Sequence, residues 1–189
     1  MASAADVDVL LLAAGRSRRF GDDDKLLAPF HGLPLALHAA RTLASLGCRR
    51  LVAVCASDAV AGILEDAGFA IVRNDDPDAG MGHSIALGAS ALGGDGRTLV
   101  ALADMPAISA AHLRTMIAYD ADMVASEAAG IRSPPALFGA GMRHRLASLS
   151  GDRGARDLLA TALPVPAPAG TLADVDTPAA LSRLAFPSG

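Results

Sequence analysis

At 189 residues the chain is long enough to enclose one well-filled core and short for two; 52% hydrophobic and 19% charged residues describe a folded α/β-type protein, not a disordered one. Aromatic side chains make up only 3%, with no Trp, so the core must be aliphatic and a ring-built platform for nucleic-acid bases is excluded. The net charge of −4 gives no overall basic field for DNA or RNA, so any phosphate binding must come from a local arrangement.

The first eight residues have neither the basic start nor the apolar stretch of a secretory signal, and no segment approaches the roughly 18 apolar residues of a membrane span. The expected setting is cytoplasmic, with no membrane partner. Val7-Asp8-Val9-Leu10-Leu11-Leu12-Ala13 is a short apolar run closed by a glycine, the pattern of a buried parallel strand. Residues 15–28, rich in Gly, Arg and Asp, are too polar for core. Apolar residues at helical spacing (Leu35, Ala39, Leu43, Leu46), opened by Pro34 and closed by Gly47, predict a helix over 34–46. A strand over 50–56, a helix over 59–67 ended by Gly68, and a strand over 69–72 follow. Cys55 falls inside the first of these and reads as a buried thiol. With Cys48 its only companion there is neither a disulfide framework nor a zinc spacing, which suits a reducing compartment.

The loop 73–80 leads to a helix over 84–92, a strand over 98–103, a helix over 110–119 and a short strand over 123–126. This alternation predicts an α/β fold, a three-layer, doubly wound, mainly parallel sheet with right-handed crossovers. Beyond about residue 127 the pattern loosens. Pro134-Pro135-Ala136-Leu137-Phe138 reads as an edge strand, and 142–149 and 155–162 as helices. Pro164, Pro166 and Pro168 punctuate an extended stretch, and Thr177 with Pro178 opens a last helix. There is no internal repeat and no linker long enough to separate one domain from another, so a single domain over 1–189 is expected.

Three constellations carry chemistry. The first is the strand exit Leu12-Ala13-Ala14-Gly15-Arg16-Ser17-Arg18-Arg19-Phe20-Gly21, with Lys25 beyond it. Ligands of doubly wound sheets bind at the carboxyl ends of strands; small residues let backbone N–H groups approach a triphosphate, and Arg and Lys neutralise it. The loop is neither a Walker motif nor Gly-x-Gly-x-x-Gly, and its residues alone equally allow a solvated surface loop. The second is Leu99-Val100-Ala101-Leu102-Ala103-Asp104-Met105-Pro106. An aspartate at the end of a buried strand sits where a cation and phosphates meet, although it could instead cap the following turn. The third is Leu172-Ala173-Asp174-Val175-Asp176-Thr177-Pro178, which is also an ordinary helix start.

Together these segments resemble the MobA-like NTP transferase family, most closely its molybdenum cofactor cytidylyltransferase branch. The resemblance rests on Leu12-Ala13-Ala14-Gly15-x-Ser17-x-Arg19-x-Gly21 with Lys25-Leu26-Leu27, then Gly80-Met81-Gly82-x-Ser84-Ile85, then Ala103-Asp104-Met105-Pro106. It continues through Gly151-Asp152-x-Gly154-Ala155-Arg156 and Asp174-x-Asp176-Thr177-Pro178, in order from residue 12 to 178.

The resemblance implies a Rossmann-like nucleotidyltransferase fold and an enzyme that moves a nucleoside monophosphate from an NTP, with CTP favoured over GTP, onto a phosphorylated small-molecule acceptor of the molybdopterin type. It implies Mg²⁺ as cofactor, and a molybdoenzyme or its chaperone as a protein partner. Leu12, Ala13, Ala14 and Gly15 would line the nucleotide, and Arg19 and Lys25 would grip its triphosphate. Gly80 and Ser84 belong to the segment that approaches base and ribose. Asp104 would hold the metal, with Asp176, which directly precedes the Thr, as second carboxylate in preference to Asp174. Gly151, Asp152 and Arg156 would face the acceptor. Ala14, where guanylyl-transferring relatives usually carry Gly, points to the cytidylyl branch. Two features depart from the pattern: Ser133-Pro134 stands where the family often has Gly and His, and Asp22-Asp23-Asp24 adds negative charge beside the triphosphate loop. The five histidines are scattered, and His83 alone falls inside a candidate segment. The competing classes are a guanylyl- or sugar-phosphate nucleotidyltransferase of the same superfamily and a non-catalytic module that handles the molybdenum cofactor. A plain Rossmann oxidoreductase would lack its fingerprint glycines.

Overall fold

The computed structural model describes residues 3–15, 20, 24–151 and 153–185. A central strand, β1 (Val7–Ala13), is buried at all seven positions. Parallel to it on one side run β4 (Arg50–Cys55) and then β5 (Ala70–Arg73); on the other lies β6 (Arg97–Leu102). A short hairpin, β2 (Pro29–Phe30) with β3 (Leu33–Pro34), leads into helix α1 (Leu35–Ala44). Helix α2 (Asp58–Asp66), capped by Ser57, joins β4 to β5, and α3 (Met81–Leu92) crosses from β5 to β6. After α4 (Ala110–Ala118) come β7 (Met123–Ala128), β8 (Ile131–Phe138), α5 (Arg143–Ala147), α6 (Arg153–Ala160), β9 (Leu163–Pro166) and α7 (Pro178–Ala185). The seven-stranded sheet has the order β5-β4-β1-β6-β8-β7-β9 and is parallel except for β8. The predicted doubly wound, mainly parallel α/β architecture is the one observed.

The period-two alternation of β1 separates the layers. Val9, Leu11 and Ala13 pack with Ala36, Ala39 and Leu43 of α1, Leu64 of α2 and Met116 of α4, while Leu10 and Leu12 face Ile85 and Ala89 of α3, Leu146 of α5 and Leu158 of α6. Contact on the second face is close: a Cβ on Gly88 would run into a Leu10 methyl, so a side chain there would force Leu10 to repack.

The sequence reading erred in the second half. The Pro134 segment is not an edge strand; β8 lies inside the sheet, antiparallel to both neighbours. Proline cannot donate to a ladder, but β6 pairs only with Ala136, Leu137 and Phe138, and the β7 register shifts between Ala125 and Ser126. Pro134 and Pro135 fall in that irregularity, where the Ser126 hydroxyl donates to the Pro135 carbonyl at 2.8 Å. The proline-punctuated stretch after it supplies the true edge, β9, parallel to β7. Cys55 is fully buried, and burial pushes its thiol up to about 11, the behaviour of a packing residue. Among the described residues no helix is long and apolar enough to cross a membrane.

Candidate active site

Leaving β1, the chain passes through buried Ala14 to exposed Gly15. A single 3-10 turn, Lys25–Leu27, then carries Lys25 back under the strand end, and the Asp24 carboxylate caps that turn by accepting from the Leu26 N–H at 3.0 Å. Capping gives a structural reason for one of the three consecutive aspartates; Asp22 and Asp23 lie outside the described residues. Past the end of β6, the Ala103 N–H donates to the Leu12 carbonyl at 3.0 Å, which holds the following aspartate beside the β1 exit. The Val175 N–H donates to the Asp104 carbonyl at 3.0 Å, drawing the C-terminal segment to the same place, and Val175 is clamped by Phe30 and Leu35.

These backbone contacts converge on one charged cluster. Lys25, buried, places Nζ 2.7 Å from Asp104 Oδ2 and 3.0 Å from Asp176 Oδ1. Burial alone would lower the pKa of the ammonium, but the Asp104 carboxylate, followed by Asp176, more than reverses this and raises it, so Lys25 is charged. Asp104 Oδ1 is buried without a hydrogen-bond partner among the described residues. A buried carboxylate oxygen with a free lone pair, beside a second and half-exposed carboxylate, fits a hard divalent cation that takes its remaining ligands from phosphate and water. Among the described residues no group of three or more potential metal ligands gathers.

Beside the cluster opens a cavity of about 390 Å³ at the carboxyl ends of β1 and β6, where strand order reverses. Leu12, Ala13, Ala14, Gly15, Lys25, Gly80, Ser84 and Asp104 all line it. Asp176 joins the group through Lys25. Arg19 and Asp152 lie outside the described residues. Arg156 is exposed on α6 and Asp174 is exposed as well; neither is among the cavity-lining residues. His83 does not line it either. Gly151, assigned by resemblance to the acceptor side, touches the opposite segment directly: its carbonyl accepts from the Gly82 N–H at 2.8 Å.

A Cβ at Gly82 would run into that carbonyl oxygen. Gly82→Ala is therefore expected to force the turn at 150–151 away from α3 and to cost about 1–3 kcal/mol, as overpacking does, read as a lowered midpoint in thermal denaturation.

Leu26, Pro77, Asp78, Met81 and Leu102 complete the wall and were not anticipated. Nor was Asn74, buried behind the wall: its Nδ2 donates to Ser84 Oγ at 2.9 Å, and its Oδ1 accepts from the Asp76 N–H at 3.0 Å. Asn74 thus ties the loop before α3 to the first turn of that helix. An asparagine directly after a strand is ordinary turn composition, so the sequence held no signal that would single it out.

A cavity at the switch point of a doubly wound sheet, edged by a lysine and two converging acids, defines a nucleotide-handling protein of the α/β class. Residues 9–167 match the MobA-like NTP transferase domain, and the chain belongs to that family of nucleotidyltransferases. It is 35% identical over 164 residues, 79% of each chain, to nicotine blue oxidoreductase of Paenarthrobacter nicotinovorans. It is 30% identical over 190 residues, 89% of this chain and 91% of the other, to the purine catabolism protein PucB of Bacillus subtilis. In fold it is similar to Rv0371c of Mycobacterium tuberculosis, with TM-score 0.83, 22% identity and coverage of 98% and 99%, and to a manganese complex of that protein with TM-score 0.79, 21% identity and coverage of 97% and 100%. Molybdopterin-guanine dinucleotide biosynthesis protein A of Archaeoglobus fulgidus shares the fold at TM-score 0.65, with 19% identity and coverage of 94% and 96%.

Proposed function

We propose that this protein is a Mg²⁺-dependent cytoplasmic nucleotidyltransferase that moves CMP from CTP onto the terminal phosphate of a molybdopterin-type acceptor. The observation that most supports this reading is the meeting of Asp104 and Asp176, from distant stretches of the chain, on Lys25 at the rim of the strand-end cavity. Ala13, Ala14 and Gly15 offer backbone groups to the nucleotide, and Lys25 with Arg19 neutralises the triphosphate. Asp104 and Asp176 are the carboxylates that would hold the metal; bound there, the cation supplies charge neutralisation for phosphate oxygens. Asn74 and Ser84 fix the wall against which the nucleoside lies. Gly151, Asp152 and Arg156 are assigned to the acceptor by the family resemblance, and that role is part of this proposal.

An acceptor phosphate oxygen attacks the α-phosphorus in line. A new P–O bond forms, the bond from the α-phosphorus to the bridging oxygen breaks, and pyrophosphate leaves with that electron pair. An ionised phosphate is already a nucleophile, so no general base is required, and none of the described residues lining the cavity is a histidine or cysteine. Catalysis is then positioning and charge stabilisation.

The test is pyrophosphate release with each NTP against molybdopterin-type, sugar-phosphate and other phosphorylated acceptors in the presence of Mg²⁺. CTP with the molybdopterin acceptor is expected to lead. Release with another pairing reassigns the substrates, and release with none ends the proposal. The likeness to nicotine blue oxidoreductase favours one second reading, an oxidoreductase acting on a nicotine blue-like substrate on the same scaffold. Substrate-dependent oxidation of NADH or NADPH, without pyrophosphate release, would establish it.

A further inference from the structure

Lys25 is the only lysine in the sequence, set against fifteen arginines. It is also the group that fills the gap between the two acids, with its side chain 9% exposed and its Nζ bonded to both. If Asp104 and Asp176 are the metal carboxylates, as proposed above, something must occupy them before the metal arrives. We propose that Lys25 is an exchangeable counter-ion. Without a divalent cation its ammonium holds the cation's place between Asp104 and Asp176, and it gives up that place for the triphosphate when the cation arrives together with nucleotide.

Two carboxylates that share a partly buried spot repel unless a positive charge lies between them, and Lys25 is that charge. A cation seated on Asp104 would lie next to an ammonium only 2.7 Å from the same carboxylate, and like charges at such distances exclude one another. Finally, lysine is a compact charge on a flexible four-carbon stem, free to swing where a planar guanidinium locked into a two-pronged pairing is not. Lys25 already lines the cavity together with Ala14 and Gly15, so the triphosphate would meet it within reach of its present position. It follows that Lys25 opposes bare metal and favours metal with nucleotide, which couples the two binding events.

The experiment measures Mn²⁺ binding by calorimetry or by loss of the free-ion electron paramagnetic resonance signal, on untagged wild-type protein and on Lys25→Met. Each is titrated alone and with a non-hydrolysable CTP analogue. The variant is expected to bind bare Mn²⁺ about tenfold more tightly than wild type, and the metal–analogue pair more weakly. Equal or weaker binding of bare Mn²⁺ by the variant overturns the exchange while leaving the carboxylate assignment standing. Absence of Mn²⁺ binding by both proteins overturns the assignment and the exchange together. Should the variant fail to fold, the wild type decides: with ¹⁵N-lysine the protein has one side-chain ammonium resonance, needing no assignment. That resonance is expected to shift or vanish as Mg²⁺ and the CTP analogue are added together, and its persistence unchanged once both are bound overturns the proposal.

Discussion

Replacing Asp104 by alanine is expected to lower the rate of pyrophosphate release by about a hundredfold or more, the scale on which removal of a key electrostatic group acts. The backbone of residue 104 should survive the change, since its carbonyl still receives the Val175 N–H. What disappears is the carboxylate carrying both the 2.7 Å bond to Lys25 and the unpaired buried oxygen. Some stability is lost with it, because a buried ammonium loses one of its compensating carboxylates, although Asp176, itself 47% exposed, still reaches it. The two effects separate in the double variant Asp104→Asn with Lys25→Met. Both charges are gone, so the thermal midpoint should recover relative to Asp104→Ala while turnover does not. Near-normal turnover in Asp104→Ala would remove this residue from the reaction.

The features of this site that could be read before folding are those where local pattern and chemistry coincide. A short run that is apolar but for Asp8, closed by Gly15 and set in a βα alternation, reads as an interior strand, so Ala14 and Gly15 just after it are expected at a strand end; the same holds for Asp104 after β6. What periodicity could not provide was the meeting of Lys25 with acids 79 and 151 positions away. Nothing local encodes that contact: it depends on β6 lying beside β1 and on Val175 being pulled in by Phe30 and Leu35. The quoted family motifs assigned all three residues to one nucleotide site, with Lys25 on the triphosphate and the acids on a metal, but not a direct pairing of Lys25 with both carboxylates. Asn74 and Asp78 escaped notice for a different reason. They stand in a loop whose composition is that of any turn, and only the buried position of Asn74 behind Ser84 distinguishes it. The misplacement of β8 is the same limitation in reverse. A proline pair argues for an edge when read locally, but Pro134 and Pro135 bulge out of the β7 ladder between Ser133 and Ala136, so an interior strand carries them without needing their missing donors.

The second large effect is expected far from the cavity, at the amino end of β1. Asp8 is fully buried in an otherwise apolar strand, and its carboxylate accepts from Arg49 at 2.9 and 2.6 Å, from Arg50 at 3.0 and 2.7 Å, and from Arg143 at 2.6 Å. Arg143 is itself buried and bonds further to Thr98 and to the carbonyls of Gly93 and Gly96, so this one acid joins β1, β4, β6 and α5. Burial by itself would raise the Asp8 pKa, but the three guanidinium groups outweigh it and hold the carboxyl well below the usual carboxylate range. Asp8→Asn keeps the shape and removes the charge, leaving Arg143 buried with no compensating anion. The expected cost at neutral pH is about 3–5 kcal/mol, which for a chain of this length is on the order of 10 °C in thermal midpoint. The sign of the pH dependence follows from the depressed folded pKa. Asp8's contribution is complete above the unfolded carboxylate value near 4 and fades as pH falls from there toward the folded value. Urea denaturation of wild type and variant should therefore show a wide gap at pH 7 that narrows below about pH 4. Turnover per folded molecule should be preserved at neutral pH, because the cluster lies at the end of β1 opposite Leu12 and Ala13. A gap below about 1 kcal/mol at pH 7 would mean that water compensates these arginines as well as Asp8 does, and that the buried acid is not what fastens the helical layer to the sheet.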